Sequence, residues 1–143
     1  MKRAAVAVII LTGLFFVACA KADLGSLMND CEKSIKADIR SDSWKQRRDA
    51  WSLEVVASTK ANDLSKLKNL LTEFESNISF AYQNDDWPAK RGDWLNKVSN
   101  AATLAQVRDA LIECESSIKF ESQDPNWKNK NRDKWIKRAQ SLQ

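Results

Sequence analysis

Apolar side chains recur at Leu67, Leu71, Phe74 and Ile78, at spacings of four, three and four. At 100° per residue they fall on one face of an α-helix. Leu24, Met28, Cys31 and Ile35 keep that spacing, as do Val107, Leu111, Cys114 and Ile118. A second pattern of the same period, Trp87, Arg91, Trp94 and Val98, follows the first and is matched by Trp44, Arg48, Trp51 and Val55. Polar–apolar alternation over strand lengths is missing. The pattern predicts an all-α chain.

Both patterns occur three times. "DCEKSIKADI", "EFESNISFAY" and "ECESSIKFES" align at Cys31, Phe74 and Cys114, which stand 43 and then 40 residues apart. Each is followed at once by Glu32, Glu75 or Glu115, and four residues on by Ile35, Ile78 or Ile118. All six tryptophans lie in "WKQRRDAW", "WPAKRGDW" and "WKNKNRDKW", the last carrying one extra residue ahead of Arg132. Such self-similarity predicts three tandem helical-hairpin repeats, about 23–60, 61–102 and 103–143. The six helices would pack as a compact bundle or a short α-solenoid. Ser43, Asp86 and Asn126 precede the first tryptophan of each copy and are expected N-caps, with capping boxes at Ser43–Gln46 and Thr103–Gln106. Lys21 stands where the other copies have Leu64 and Leu104, so the first helix is expected to be a turn short. The insertion is expected to disturb the turn around Trp127.

Short connections make the two helices of each copy antiparallel neighbours. Residues level with each other then have a constant sum of residue numbers. Ile78 falls level with Trp87, Leu71 with Trp94, and Phe74 with Arg91, which puts Glu75 beside that arginine. The same arithmetic brings Glu32 to Arg48 and Glu115 to Arg132. These three pairs are expected to act as structural clamps, because a cation on an apolar face needs a partner. Trp44, Trp51, Trp87, Trp94, Trp127 and Trp135 face the apolar stripe of the partner helix, which makes them repeat core. The guanidinium between each pair is expected to stack on indole. The competing reading is a ligand groove, since tryptophan and arginine together also anchor sugars and peptides.

The first residues follow another rule. Lys2 and Arg3 precede the uncharged "AAVAVIILTGLFFVACA", and "AKA" closes the stretch. A basic start, an apolar run and small residues describe a secretory signal peptide, residues 1–22, cleaved after Ala22. Cys19 in "FVAC" is an alternative, lipidated start, and a retained anchor is a third. The expected location is therefore periplasmic or secreted, or membrane-attached if Cys19 is lipidated. Residues 23–143 are then one all-α domain.

Composition narrows function by exclusion. The whole chain has a net charge of +4, but without Lys2, Arg3 and Lys21 the 20 remaining cations face 19 acids, a net of +1. Nucleic-acid binding loses its electrostatic support. The chain has no histidine, which removes His-based catalysis and His-ligated zinc. No glycine-rich phosphate loop is present. "QNDD" and "SQDP" read as turn chemistry. No catalytic residue, metal site or cofactor is expected. Cys31 and Cys114 share one slot of the repeat and are candidates for a disulfide, which only a closed bundle permits. Phe74 in the same slot argues for a plain apolar position. Lys128, Lys130, Lys134, Lys137 and Arg138 form a basic face, either solvated or in contact with an anionic surface. The expectation is an exported helical module that binds another protein, as an inhibitor, immunity or accessory factor. The alternative is a structural envelope protein binding glycan or an anionic polymer.

Overall fold

The computed structural model describes residues 23–142; the expected signal peptide, with Cys19 and the cleavage position after Ala22, lies outside them. The described residues form six α-helices: α1 (Leu24–Lys33), α2 (Asp42–Lys60), α3 (Leu64–Ser76), α4 (Trp87–Asn100), α5 (Leu104–Ser116) and α6 (Arg132–Gln140). Among the described residues there is no strand, only two isolated bridges, Ile35 with Gln123 and Gln83 with Ile118. The fold is all-α. At 10 residues, α1 is about one turn shorter than the 13-residue α3 and α5.

Helix starts follow the expected chemistry in some places and depart from it in others. Thr103 and Gln106 form a full capping box on α5. Asp23 and Asp63 cap α1 and α3 through their side chains. The cap of α2 is Ser41, not Ser43: Ser41 is extended, and its hydroxyl accepts the Trp44 amide at 3.2 Å. Ser43 already lies in the first turn, with its hydroxyl 3.2 Å from that of Ser41, so the Ser43–Gln46 box does not form. Asp86 precedes α4 without a cap bond and holds Lys90 at 2.6 Å. Asn126 likewise makes no cap bond.

Each connection at the other end of a hairpin folds into a short 3₁₀ turn: Ala37–Ile39, Phe80–Tyr82 and Phe120–Ser122. The inserted residue of the last copy is absorbed by a π-helical turn, Trp127–Asn131, ahead of α6. A π turn takes one more residue per hydrogen-bonded ring than an α turn. The disturbance expected at Trp127 is thus confined to backbone winding, and Trp127 stays buried.

The helices pack compactly. α1 lies against both α2 and α6, while α3 and α5 meet in the middle. The first and last helices therefore close on each other, which an open solenoid would keep apart. One apolar core runs through all six, with Leu67, Leu71, Val107 and Leu111 fully buried.

The two glycines of the described chain predict opposite outcomes on substitution. A Cβ on Gly25 would stand 2.5 Å from the Thr59 hydroxyl and 3.4 Å from the Val55 carbonyl. That hydroxyl donates to the same carbonyl at 2.8 Å, so it would lose its place. Gly25→Ala is expected to cost about 1–3 kcal/mol by overpacking. Gly92, inside α4, has no atom within 4 Å of an added Cβ. Gly92→Ala is expected to stabilise by up to about 1 kcal/mol through helix propensity. Urea unfolding of both variants checks the contrast.

Candidate functional site

Three buried carboxylates organise the interior. Glu32, Glu75 and Glu115 sit on α1, α3 and α5, each at most 2% exposed. A buried carboxylate needs donors for both oxygens. Glu75 receives Arg91 Nε at 2.7 Å, Trp87 Nε1 at 2.8 Å and Gln83 Nε2 at 3.0 Å. Glu115 receives Arg132 Nε at 2.9 Å, Trp127 Nε1 at 3.1 Å and Gln123 Nε2 at 2.8 Å. Glu32 receives Arg48 Nε and, at 3.1 Å, Trp44 Nε1. Its third neighbour is Arg40, whose Nε lies 2.9 Å from the carboxylate. The structure thus brings together Glu32 with Arg48, Glu75 with Arg91, and Glu115 with Arg132.

Sequence reasoning missed Gln83, Gln123 and Arg40. The stretches "QNDD" and "SQDP" mark Gln83 and Gln123 as turn residues, yet both are buried. The available signal was position: 40, 83 and 123 are spaced as Cys31, Phe74 and Cys114 are.

The second tryptophan of each pair crosses to the next hairpin. Trp51 Nε1 donates to the Leu70 carbonyl at 2.9 Å, Trp94 to Ala110 at 2.9 Å, and Trp135 to Leu27 at 3.0 Å. The last bond links residues near opposite ends of the described chain. Within each pair the indoles meet edge to face, with centroids 5.4, 5.7 and 5.5 Å apart. That contact leaves no gap between them for a guanidinium. The expected stacking of arginine on indole is absent among the described residues, where the one cation–π contact is Lys128 over Phe120 at 3.7 Å. All six indoles are between 0 and 7% exposed, so none offers a face to a ligand.

Cys31 and Cys114 are buried free thiols, and no disulfide joins them. Both occupy the slot that Phe74 fills, as small apolar side chains in the core. Burial pushes both thiols well above their usual range, with the neighbouring Cys114 adding to the effect on Cys31. A thiol held protonated is a poor nucleophile.

Of the basic face, Lys128 is taken up by Phe120, and Arg138 pairs with Asp30 at 2.9 Å. Lys130, Lys134 and Lys137 are exposed and have no ion pair among the described residues. Elsewhere Arg47 bridges two carboxylates, with Nε 2.6 Å from Glu73 and Nη1 2.6 Å from Glu54. Matched positions on the other junctions carry direct pairs, Lys97 with Glu113 at 3.1 Å and Arg138 with Asp30. Glu54 stands where those have a cation, and Arg47 compensates for the reversal. Hydrogen bonds from Arg47 and then Lys66 pull the Glu54 carboxyl from 4.5 down to about 2. In this range the unfolded chain binds more protons than the folded one, so stability rises with pH. The contribution is complete above about pH 4.5 and is lost as pH falls toward 2. Arg47→Gln is expected to flatten that part of the stability–pH curve, read by denaturant titration at successive pH values.

No family model, no curated protein and no solved structure matches this chain.

Proposed function

We propose that the protein is an exported module of three helical-hairpin repeats that binds another protein through the end of the bundle where its three linkers meet. The repeat is supported by the matched carboxylate sites and by the tryptophan bonds that pass from each hairpin to the next. The observation that carries the binding role is apolar exposure at that end. Phe80 is 52% and Phe120 68% exposed, at matched positions on adjacent linkers. Aromatic side chains in solvent lose the gain of burial, and clustered ones mark interaction surfaces. The six indoles and the three clamp pairs offer no competing site, because they are spent on one another. Inhibitor, immunity or accessory roles all fit a small rigid binder of this kind. An anionic-polymer role rests on three exposed lysines alone and has less support.

The test is affinity capture with the purified protein from envelope and secreted fractions, comparing it with Phe80→Ala/Phe120→Ala. The expected result is a partner retained by the native protein and lost by the double variant at unchanged melting temperature. Capture unaffected by the double variant would remove this face from consideration. Export is supported by residues 1–22, and N-terminal sequencing of native protein is expected to begin at Asp23, or at Cys19 if lipidated. A sequence beginning at Met1 would contradict export with cleavage.

A further inference from the structure

The three linkers do not meet in the same way. Between the second and third, the Asn84 amide donates to the Ser117 carbonyl at 2.7 Å and Lys119 to Tyr82 at 2.9 Å. Between the third and first, Asp124 donates to Ser34 at 2.8 Å and Lys36 to Ser122 at 3.1 Å. Gln83 and Gln123 each reach across to a serine hydroxyl, Ser117 and Ser34, at 3.4 Å. The matching bonds between the first and second linkers would join Ser41 to Asn77 and Ser79 to Ile39. Neither is formed among the described residues.

Larger residues stand at this junction. Phe74 and Asn77 replace the cysteine and serine of the closed ones, and Arg40 replaces glutamine. A narrow cleft remains, lined by Ile35, Ile39, Trp44, Phe74, Ile78 and Tyr82, with Arg40 at its wall. Its charge is unbalanced. Glu75 and Glu115 each hold one arginine, whereas Glu32 holds both Arg48 and Arg40. The Arg40 side chain is 9% exposed; its Nη2 donates to the Glu32 carbonyl at 2.7 Å, while its Nε–H, 2.9 Å from the Glu32 carboxylate, is off the line of a hydrogen bond. A buried cation in excess attracts an anion.

We propose that this cleft takes an extended, carboxylate-bearing segment of a partner protein, paired with the backbone of Ile39 and Ser41 and with its acidic side chain at Arg40. The inference rests on the reading of the linker end as a protein-binding face. The closed junctions show what an occupant must look like. There a serine meets the glutamine and the next residue, Ile118 or Ile35, packs beside it. An acidic residue followed by a β-branched one supplies the same two contacts, with a carboxylate to balance the second arginine at Glu32. Free space in the cleft is about 10 Å³, too little for a side chain. Entry therefore parts the first linker from the second, and no bond between the linker backbones opposes it. Strand addition of this sort takes its affinity from the main chain and its specificity from alternate side chains.

The probes are end-blocked heptapeptides with Asp-Ile or Glu-Val at the centre, against Asn-Ile, Lys-Ile and a backbone N-methylated Asp-Ile. Binding is read by fluorescence anisotropy, and amide exchange at Ser41 by NMR. The expected result is at least tenfold tighter binding of the acidic peptides than of the lysine and N-methyl controls. Saturation should slow Ser41 exchange at least tenfold. Arg40→Gln/Asn77→Ser installs residues the closed junctions already carry, and should weaken binding at least tenfold without lowering the melting temperature. Equal affinity for acidic and lysine peptides, no binding, or an unaltered Ser41 amide would overturn the proposal. The exchange measurement uses native protein, so it stands even if the double variant folds poorly. Partner capture lost in Phe80→Ala/Phe120→Ala but intact in Arg40→Gln/Asn77→Ser would refute the cleft alone. Acidic-peptide binding with no partner captured would refute the wider functional reading alone.

Discussion

Arg91→Ala is expected to lower stability by about 3–5 kcal/mol, the range for removing one member of a buried ion pair. The asymmetry of the site explains the size. Arg91 is about a quarter exposed, but Glu75 is 1% exposed, so the carboxylate left behind cannot turn to water. Trp87 Nε1 and Gln83 Nε2 would still donate to it, yet neither carries charge. Glu75→Gln should cost less, since an amide keeps the shape and one acceptor. The double variant should fall short of the sum, because each single change already breaks the same contact. Chemical denaturation of the three variants gives the cycle directly. An unchanged melting temperature for Arg91→Ala, joined to loss of partner binding, would make the arginine a ligand contact instead.

The elements of the fold were legible because each rests on local spacing. Apolar positions at three and four residues located the helices, although Ile35, Ile78 and Ile118, the last of each stripe, lie just past the helix ends; Thr103 with Gln106 announced a start that forms as read. Constant-sum pairing placed Glu75 opposite Arg91 because both helices are regular, although the link between them, residues 77–86, is longer than expected and holds a 3₁₀ turn. What failed depended on contacts beyond the local spacing. Gln83 and Gln123 lie in polar stretches that look like turns, and their burial follows from bonds to Glu75 and Glu115 in their own copies and to Ser117 and Ser34 in the neighbouring ones. The cross-hairpin tryptophan bonds were invisible for the same reason, since an indole N–H facing a carbonyl of the next helix leaves no trace in its own segment. Ser41 won the cap over Ser43 by an offset of two residues that spacing alone does not resolve. The open junction at Arg40 was hidden too. Its signal is a difference between copies, whereas periodicity reports what they share.

Trp135→Ala is expected to match the loss at Arg91, at about 3–5 kcal/mol for removal of a buried indole. Two contributions combine. The indole fills the contact between α6 and α1, and its Nε1–H satisfies the Leu27 carbonyl at 3.0 Å. Trp135→Phe separates them, since it keeps most of the apolar area and drops the hydrogen bond. It should cost about 1–3 kcal/mol, the range for a buried acceptor left without its donor. Comparison with Trp51→Phe and Trp94→Phe then tests closure of the bundle. Those tryptophans make the same bond to Leu70 and Ala110, at 2.9 Å each. In a closed arrangement all three substitutions remove an interior contact and cost about the same. In an open array Trp135 would sit on a terminal hairpin with one face in water, and its replacement would cost much less than the other two. Equal losses in urea unfolding are expected, and a near-neutral Trp135→Phe beside costly Trp51→Phe and Trp94→Phe would show that α6 and α1 do not meet in solution.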